Sequence, residues 1–257
     1  MEKQSLNPEK PQPITFQKDI YWKVIPFISS PKEGLRVIDA GAGEGYMSRL
    51  LKDLGYDVTA CDISASAFKC PDIPFIRADL NKGIPLEDNI FDYTISIEVI
   101  EHIENHGNFI KELIRITKPG GRIIITTPNI TSLSSRLHFF IYGYPCCAPR
   151  PIPPDDPKYY MHHINPISLP ELLFWVEKYG GILERLTTNR YRKGSYPLML
   201  FYPFLSLCLK LKFLRKRYIT ERDLNTRHID FMLSRENLMG RILIAIIRKP
   251  SDENPPD

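Results

Sequence analysis

The sequence predicts an α/β protein whose core is a doubly wound, mostly parallel sheet. Between residues 35 and 129, short apolar segments alternate with segments whose apolar residues recur at helical intervals. The first apolar segment runs into a turn that contains three glycines, and acidic residues stand where successive apolar segments end. Short strands alternating with amphipathic helices are typical of parallel sheets that carry helices on both faces.

The glycine-rich turn is the clearest local feature of the chain. Asp39 ends the first apolar run, Gly41, Gly43 and Gly45 follow at every second position, and a helical pattern starts at Tyr46. Glycine lets a ligand approach the backbone closely, and a helix that follows directs unpaired N–H groups and partial positive charge at the same place. The turn therefore predicts a pocket for a nucleotide-sized ligand.

The other elements follow from the same patterns. Apolar or β-branched runs predict strands, and apolar residues at intervals of three and four predict helices. We expect strands at residues 35–39, 57–63, 75–78, 91–97, 122–127, 182–188 and 241–248. We expect helices at 46–54, 105–117, 132–142 and 169–179, and a helical segment at 16–29 that either packs on the sheet or covers the pocket.

Polar side chains stand at the ends of five of these strands, namely Asp39, Asp62, Asp79, Glu98 and Asn129. Ligands of doubly wound sheets bind beyond the carboxyl ends of the strands, so these side chains are expected to converge on one crevice. An acidic residue about twenty positions beyond the glycines is suited to the ribose hydroxyls of a nucleoside. Asp62 occupies that position, and Asp79 is suited to an adenine amino group.

With these residues in place, the chain resembles the class I S-adenosylmethionine-dependent methyltransferases, most clearly between residues 35 and 129. The resemblance implies a Rossmann-like sheet of seven strands, with the last strand antiparallel. It also implies S-adenosyl-L-methionine as the cofactor. The implied cofactor-binding residues are Asp39, Gly41, Ala42, Gly43, Asp62, Ile63, Asp79, Leu80 and Glu98.

A second cluster of polar residues follows the fourth strand. Glu98, Glu101 and His102 are spaced so that one helical turn brings them to the same face, and His163 is a candidate fourth member. Two carboxylates and imidazoles suit a divalent ion such as Mg²⁺, Mn²⁺ or Zn²⁺. Alternatively, His102 or His163 acts as a general base, or the cluster only caps a helix and lines the substrate pocket.

This cluster resembles two groups of the superfamily, the ubiquinone-biosynthesis O-methyltransferases and the small-RNA 3′-terminal 2′-O-methyltransferases. In the second group, a similar E-x-x-E-H sequence is followed by a TTPN strand end and a further histidine. The sequence from Thr126 to Asn129 and His163 match that arrangement, with Glu171 at a comparable distance. The aromatic and arginine residues that surround the histidine in the RNA enzymes are missing here, so nucleic acid is not an expected partner.

Composition and segment character set the domain organisation. The chain has 257 residues, a formal net charge of +4 and five cysteines. An odd number of cysteines without a C-x-x-C pair indicates reduced thiols in the cytoplasm, and the polar start of the chain predicts no secretory signal. We expect a tail and helix at 1–30, a methyltransferase domain at 31–250 with insertions at about 143–166 and 190–240, and a disordered tail at 251–257.

The two insertions differ in character. The first is rich in proline, and its place after the fifth strand predicts a lid over the substrate side of the pocket. In the second, residues 196–209 are almost wholly apolar, and the cations Lys210, Lys212, Arg215, Lys216 and Arg217 follow. This stretch is too short to span a bilayer. It is a buried helix, an oligomer contact, or a segment (196–217) that lies on an anionic membrane surface.

Taken together, the sequence predicts O-methylation of a hydroxyl on a lipophilic or lipid-linked small molecule, such as a quinone precursor or a polyprenyl-linked glycan. The enzyme is expected to be cytoplasmic, and peripheral to the membrane if residues 196–217 lie on it. A 2′-O-methyltransferase acting on RNA is the alternative enzyme. A catalytically silent, membrane-associated scaffold is the alternative outside enzymes.

Overall fold

The structure is a computed structural model that describes residues 18–32, 34–146, 162–213 and 222–251. Seven strands form one sheet in the order β3-β2-β1-β4-β5-β7-β6. The strands are β1 Arg36–Ala40, β2 Asp57–Asp62, β3 Phe75–Arg77, β4 Phe91–Ile97, β5 Thr117–Pro128, β6 Ile182–Thr188 and β7 Ile242–Arg248.

The first five strands are parallel, and β7 lies antiparallel between β5 and β6. This confirms the predicted Rossmann-like sheet with an antiparallel last strand. The chain passes from β1 to β2 on one side and reaches β4 on the other, so the strand order reverses between β1 and β4. A crevice opens at such a reversal, beyond the carboxyl ends of the strands.

Eight helices surround the sheet in the part of the chain that the structure describes: α1 Lys18–Val24, α2 Tyr46–Asp53, α3 His106–Ile116, α4 Leu133–Tyr142, α5 Leu169–Lys178, α6 Tyr202–Phe213, α7 Arg222–Leu233 and α8 Arg235–Met239. One apolar core contains Phe109 and Leu113 of α3 with Leu172 of α5. The other contains Ile20 of α1 and Leu51 of α2. Helices on both faces give the doubly wound arrangement.

The structure extends or replaces some of the expected elements. Strand β5 begins at Thr117 instead of residue 122, because the backbone of Gly120 and Gly121 exchanges hydrogen bonds with Lys249 and lengthens the pairing with β7. Helices α7 and α8 were not predicted. Residues 1–17 of the expected tail and helix at 1–30, residues 252–257 of the expected disordered tail at 251–257, most of the proline-rich insertion (147–161), and Arg215, Lys216 and Arg217 lie outside the described residues.

The interpretation of residues 196–209 as a buried helix is wrong. The segment forms a 3₁₀ turn, Pro197–Phe201, followed directly by α6, and Leu200, Phe201 and Phe204 are exposed. Its other side packs on a small apolar cluster that includes Leu133 and Leu238. Among the described residues, no helix has the length and hydropathy that a bilayer span requires.

A buried carboxyl group joins the first strand to the first helix after it. Asp39 of β1 is 2% exposed, and its Oδ2 atom accepts a hydrogen bond of 2.6 Å from the Ser48 hydroxyl of α2. The pKa of Asp39 is raised to about 6, chiefly by burial and also by the negative charge of Asp62, although the Ser48 hydrogen bond opposes both. The native state therefore holds the proton of Asp39 more tightly than the unfolded chain does.

This difference predicts a pH-dependent stability that the substitution Asp39→Asn removes. A carboxyl group whose pKa is raised by folding lowers the free energy of unfolding as pH rises from its unfolded pKa, about 4, to its native pKa, about 6. We expect the wild type to lose about 3 kcal/mol relative to Asp39→Asn across this range, measured by urea denaturation. The exposed Asp57 of β2 is the control; a pH-independent difference for Asp39→Asn would contradict the assignment.

Candidate active site

The glycine turn lies at the carboxyl end of β1, at the strand-order reversal. Gly41, Gly43 and Gly45 have φ angles of 88°, 53° and 89°, which side chains rarely permit. A Cβ atom on Gly41 would lie 2.3 Å from the Val99 side chain. The amides of Gly41 and Ala42 both donate to the Cys61 carbonyl of β2, at 2.8 and 3.0 Å. The turn is thus closed against β2 and leaves no space for larger residues at its first glycine.

Asp62 connects the end of β2 to this turn. Its Oδ2 atom accepts a hydrogen bond of 2.8 Å from the Gly43 amide, and its Oδ1 atom accepts one of 2.9 Å from the Ser64 amide. Ile63 beside it is 42% exposed. A carboxylate has about four lone-pair sites, so Asp62 has the capacity to accept further hydrogen bonds from a diol.

The third acidic residue follows β3. The Asp79 carboxylate accepts a hydrogen bond from the Asn81 amide at 3.2 Å and forms an ion pair of 3.0 Å with Lys82. Leu80 is 7% exposed and belongs to the apolar core. The structure therefore places the predicted cofactor residues at the carboxyl ends of β1, β2 and β3, with Asp39 buried beneath the glycine turn.

Glu98 begins the loop after β4 in a strained conformation. Its φ angle is 55°, which is uncommon for a residue with a side chain and is found most often at functional sites. Its backbone amide donates to the Thr126 hydroxyl, which in turn donates to the Glu98 carboxylate, both at 3.0 Å. Burial raises the pKa of Glu98 to about 7, against the opposing effects of Thr126 and the positive charge of Arg241.

Tyr21 of α1 lies close to both ends of this crevice. Burial raises the pKa of its phenol, and the negative charges of Asp39 and Glu98 raise it further. Of the two roles that the sequence left open for this helix, the structure shows packing on the sheet, because Ile20, Tyr21 and Val24 all belong to the buried core. Tyr21 and the hydroxyl of Thr126 were not predicted as site residues.

A cluster of three ligand-type side chains lies beside Glu98. Glu101 and His102 belong to a 3₁₀ turn, Ile100–His102, and with His163 they bring one potential ligand atom each to within 4.8 Å of one another. Glu101 is fully buried, and its Oε1 atom has no hydrogen-bond donor among the described residues. That atom is 3.9 Å from His163 Nε2. Burial, followed by the charge of Glu98, raises the pKa of Glu101 well above its ordinary value.

The segment that carries His163 is held against the 3₁₀ turn by backbone contacts. The His102 ring donates from Nδ1 to the His162 carbonyl at 2.8 Å, and the Asn165 amide donates to the Glu101 carbonyl at 3.0 Å. A histidine that donates from Nδ1 to a carbonyl has its Nε2 lone pair oriented, which is the usual arrangement around a metal-binding histidine. The same tautomer also serves a general base.

Other predicted or suggested residues lie elsewhere. Glu98, also predicted as a metal ligand, is not among the three residues of the cluster, and its carboxylate accepts a hydrogen bond from Thr126. Asn129 is fully buried and donates to the carbonyls of Asn237 and Gly240, so it fastens α8 to the sheet. Glu171 of α5 accepts a hydrogen bond from the His106 ring and not from the cluster.

Thr127 is a site residue whose role the sequence analysis missed. Its hydroxyl donates to Glu101 Oε2 at 3.2 Å. Two consecutive threonines at the carboxyl end of β5 were the available signal, because one residue of such a pair points to each face of a strand. Here Thr126 and Thr127 hold one glutamate each.

Comparisons with known proteins match part of this chain to methyltransferases. A family model described as "Methyltransferase domain" matches residues 38–125. The demethylmenaquinone methyltransferase of Paenarthrobacter aurescens is 37% identical over 99 residues, which are 37% of this chain and 39% of that protein. The ubiquinone biosynthesis O-methyltransferase of Caulobacter sp. is 32% identical over 111 residues, 40% of this chain and 44% of that protein. The match thus spans about two fifths of the length of these curated relatives.

Solved structures share the fold over most of the chain. An S-adenosylmethionine-dependent methyltransferase from Archaeoglobus fulgidus has a TM-score of 0.55 and 20% identity, covering 90% of this chain and 93% of that one. Phosphoethanolamine N-methyltransferase 2 of Haemonchus contortus, solved with S-adenosyl-L-methionine, has a TM-score of 0.54 and 16% identity, covering 91% of this chain and 53% of that one. Residues 38–125 thus match the methyltransferase domain, and the chain as a whole shares its fold with solved S-adenosylmethionine-dependent methyltransferases.

Proposed function

We propose that this protein transfers the methyl group of S-adenosylmethionine to a hydroxyl on a lipophilic or lipid-linked small molecule. The observation that supports this proposal best is the Glu101–His102–His163 cluster beside the crevice that the glycine turn and Asp62 form. A methyl donor site by itself does not distinguish acceptor atoms. A group that can remove or stabilise a proton next to it favours a hydroxyl acceptor.

The donor side rests on the glycine turn. Asp62 would accept hydrogen bonds from the ribose hydroxyls while still holding the Gly43 amide, and the exposed Ile63 would lie along the base. Asp79 stands at the neighbouring strand end for the adenine amino group. The bound donor supplies a methyl group already activated by its sulfonium. The main task of the protein is therefore to align the acceptor with it, which is an entropic contribution.

The acceptor side rests on the cluster. A neutral hydroxyl is a weak nucleophile, and its proton must be removed or its pKa lowered. The unsatisfied Oε1 atom of Glu101 and the two histidines form a donor set that fits a borderline divalent cation such as Zn²⁺ or Mn²⁺, or Mg²⁺ with additional water. Such a cation would act as a Lewis acid on the hydroxyl. We propose Glu101, His102 and His163 as its protein ligands, without Glu98.

The class of acceptor is supported by the relatives. Two of the curated relatives are named for demethylmenaquinone and for ubiquinone biosynthesis, and of these two names the second specifies oxygen as the acceptor atom. The identity extends over the donor half of the fold, whereas the second half of this chain carries its own insertions. A quinone precursor or a polyprenyl-linked glycan is therefore proposed as a class, with the hydroxyl as the common feature.

Replacing Asp62 tests the donor site. The variant Asp62→Ala loses a charged hydrogen-bond acceptor and the support of the glycine turn, so we expect its affinity for S-adenosylmethionine to fall about 10- to 100-fold. Isothermal calorimetry measures this directly. The control is Asp57→Ala, which removes an exposed carboxylate from the opposite end of the same strand. Equal affinity in wild type and Asp62→Ala would contradict the donor site.

Replacing Glu101 tests the cation site. We expect Glu101→Gln, an isosteric change, to lower the affinity for Mn²⁺ or Zn²⁺ at least about 100-fold, measured by calorimetry and by metal content after dialysis. The wild type should lose turnover with a chelator and recover it with Mg²⁺, Mn²⁺ or Zn²⁺. The control, Glu104→Gln, changes an exposed carboxylate three residues away. Turnover that is indifferent to chelator would instead assign proton removal to His102 or His163.

The acceptor class is tested with labelled methyl donor. A cell extract is separated into lipid, RNA and small polar fractions, and each is incubated with the protein and the donor. We expect the label in the lipid fraction, with an alkali-stable ether linkage. Label in the RNA fraction would support 2′-O-methylation of RNA instead. Donor binding without label in any fraction would favour the silent scaffold.

A further inference from the structure

Helix α4 and the neighbouring segment 197–213 present large apolar side chains to solvent. We define the apolar face by six residues, Phe139, Phe140, Leu200, Phe204, Leu207 and Leu211, which are 55–86% exposed. The last four recur at intervals of three and four along the 3₁₀ turn and α6, so they form one continuous stripe. A contiguous apolar patch of this kind on a folded protein marks an interaction surface.

The apolar face is not needed to hold these elements in place. The other sides of α4 and of the segment 197–213 already pack together through Leu133, Leu198, Met199 and Leu205 on the end of α8. A hydrogen bond of 2.7 Å between the hydroxyls of Ser134 and Ser195 joins α4 to the chain just before this segment. The two elements therefore form a supported platform whose outward residues are left for another partner.

A basic cavity lies at the edge of this platform. It has a volume of about 510 Å³, and its lining includes Ser134 of α4 and the cations Arg190, Arg192, Lys193 and Arg241. Among the residues that the structure describes, the charged ones that line it are all cations. Lys210 and Lys212 in the last turn of α6 add positive charge to the same region of the chain. The cavity has the charge and size to receive a phosphate group.

Aromatic groups of mixed polarity lie at the border of the apolar face. The rings of His138 and Tyr142 are 4.5 Å apart, and the Tyr142 side chain is 60% exposed. Tyr144 follows at the end of the helix and is 51% exposed. Tyrosine is enriched at membrane–water interfaces, because its ring enters the apolar region while its hydroxyl stays hydrated.

These features distinguish between possible occupants. A second copy of the chain packed about a two-fold axis would bring the same patch onto itself, and the cations of both copies would meet. An anionic bilayer instead offers acyl chains to the apolar face and phosphates to the basic cavity at the same time. Both the apolar area and the charge thus match a lipid surface.

We propose that the platform is a membrane-binding surface for anionic phospholipid, in which the apolar face enters the bilayer interface and the basic cavity takes a lipid phosphate. This binding is separate from the methylation chemistry and does not require it. It extends the expected surface at 196–217 by adding α4 and a defined headgroup site formed largely by residues 190–193 and Arg241. It also explains why large apolar side chains remain exposed on this surface.

Vesicle co-sedimentation tests the proposal on the full chain. The vesicles contain either phosphatidylcholine alone or phosphatidylcholine mixed with phosphatidylglycerol. We expect the wild type to sediment with the mixed vesicles and to be released by salt. The double variant Arg190→Gln/Lys193→Gln should bind about 25-fold more weakly, at about fivefold per cation. The double variant Phe140→Ser/Leu200→Ser should bind at least about tenfold more weakly to the same vesicles.

Matched controls separate this effect from folding. Trp22→Ser removes an exposed apolar side chain from α1, and Lys23→Gln removes an exposed cation there, so neither should change vesicle binding. All four replaced residues of the platform are exposed. The two double variants are folded if their thermal melting and their calorimetric binding of S-adenosylmethionine equal those of the wild type. If the wild type does not bind S-adenosylmethionine, the proposed function is contradicted, whereas the vesicle result is unaffected.

Four results would overturn the proposal. The first is a wild type that stays in the supernatant with mixed vesicles. The second is equal vesicle binding by the wild type and by Arg190→Gln/Lys193→Gln, which would contradict the headgroup site. The third is a dimer by light scattering that dissociates in Phe140→Ser/Leu200→Ser, which would assign the apolar face to a second copy. Binding of soluble glycerol phosphate without vesicle binding would assign the cavity to a free phosphate compound.

Discussion

Carboxyl groups crowded at one edge of the sheet are the constraint on which the site depends. Asp39, Glu98 and Glu101 are held where burial raises the pKa of each, and Asp62 adds its charge to that of Asp39. Desolvating a carboxylate without a cation lowers the stability of the native state. The fold offsets this with hydroxyl donors, one each from Ser48, Thr126 and Thr127. A protein that had no use for these acids would be more stable with apolar residues in their place.

The same edge explains why the proposed donor and acceptor sites are adjacent. The strand order reverses between β1 and β4, and the loops after these two strands diverge around a crevice. The glycine turn follows one strand, and Glu98, Glu101 and His102 follow the other, with His163 joining them from the segment before α5. Val99 contacts Gly41 across the gap, so a change of side chain on one loop alters the packing of the other. Chemistry on this fold is therefore set by two loops whose separation the sheet determines.

The part of the site that local sequence determines was predictable. Strand ends follow from apolar runs, and parallel strands end on the same side, so Asp62, Asp79 and Glu98 were brought to one edge without knowledge of any contact. The division of labour between Glu98 and Glu101 was not predictable. It depends on which of two threonines of β5 faces each carboxylate, and that is a matter of register between strands.

Longer-range features escaped prediction for similar physical reasons. The pairing of Glu171 with His106 depends on how α5 packs against α3, which no periodicity encodes. Residues 196–209 are apolar on nearly every side, and such a pattern is common to a buried helix and to a helix with an unpartnered outer face. Only the packing of Leu198, Met199 and Leu205 shows which side is covered. The early start of β5 comes from backbone pairing by Gly120 and Gly121 with a distant segment.

Arg241 connects the basic cavity with the crevice that contains Glu98. It lines the basic cavity, and its positive charge also lowers the proton affinity of Glu98 in the crevice. An anion that neutralised the guanidinium from the cavity side would withdraw part of that field, and Glu98 would then hold its proton at a higher pH. Electrostatic coupling of this kind needs no movement of the backbone. The pKa of Glu98 would thus depend on whether an anionic lipid occupies the basic cavity.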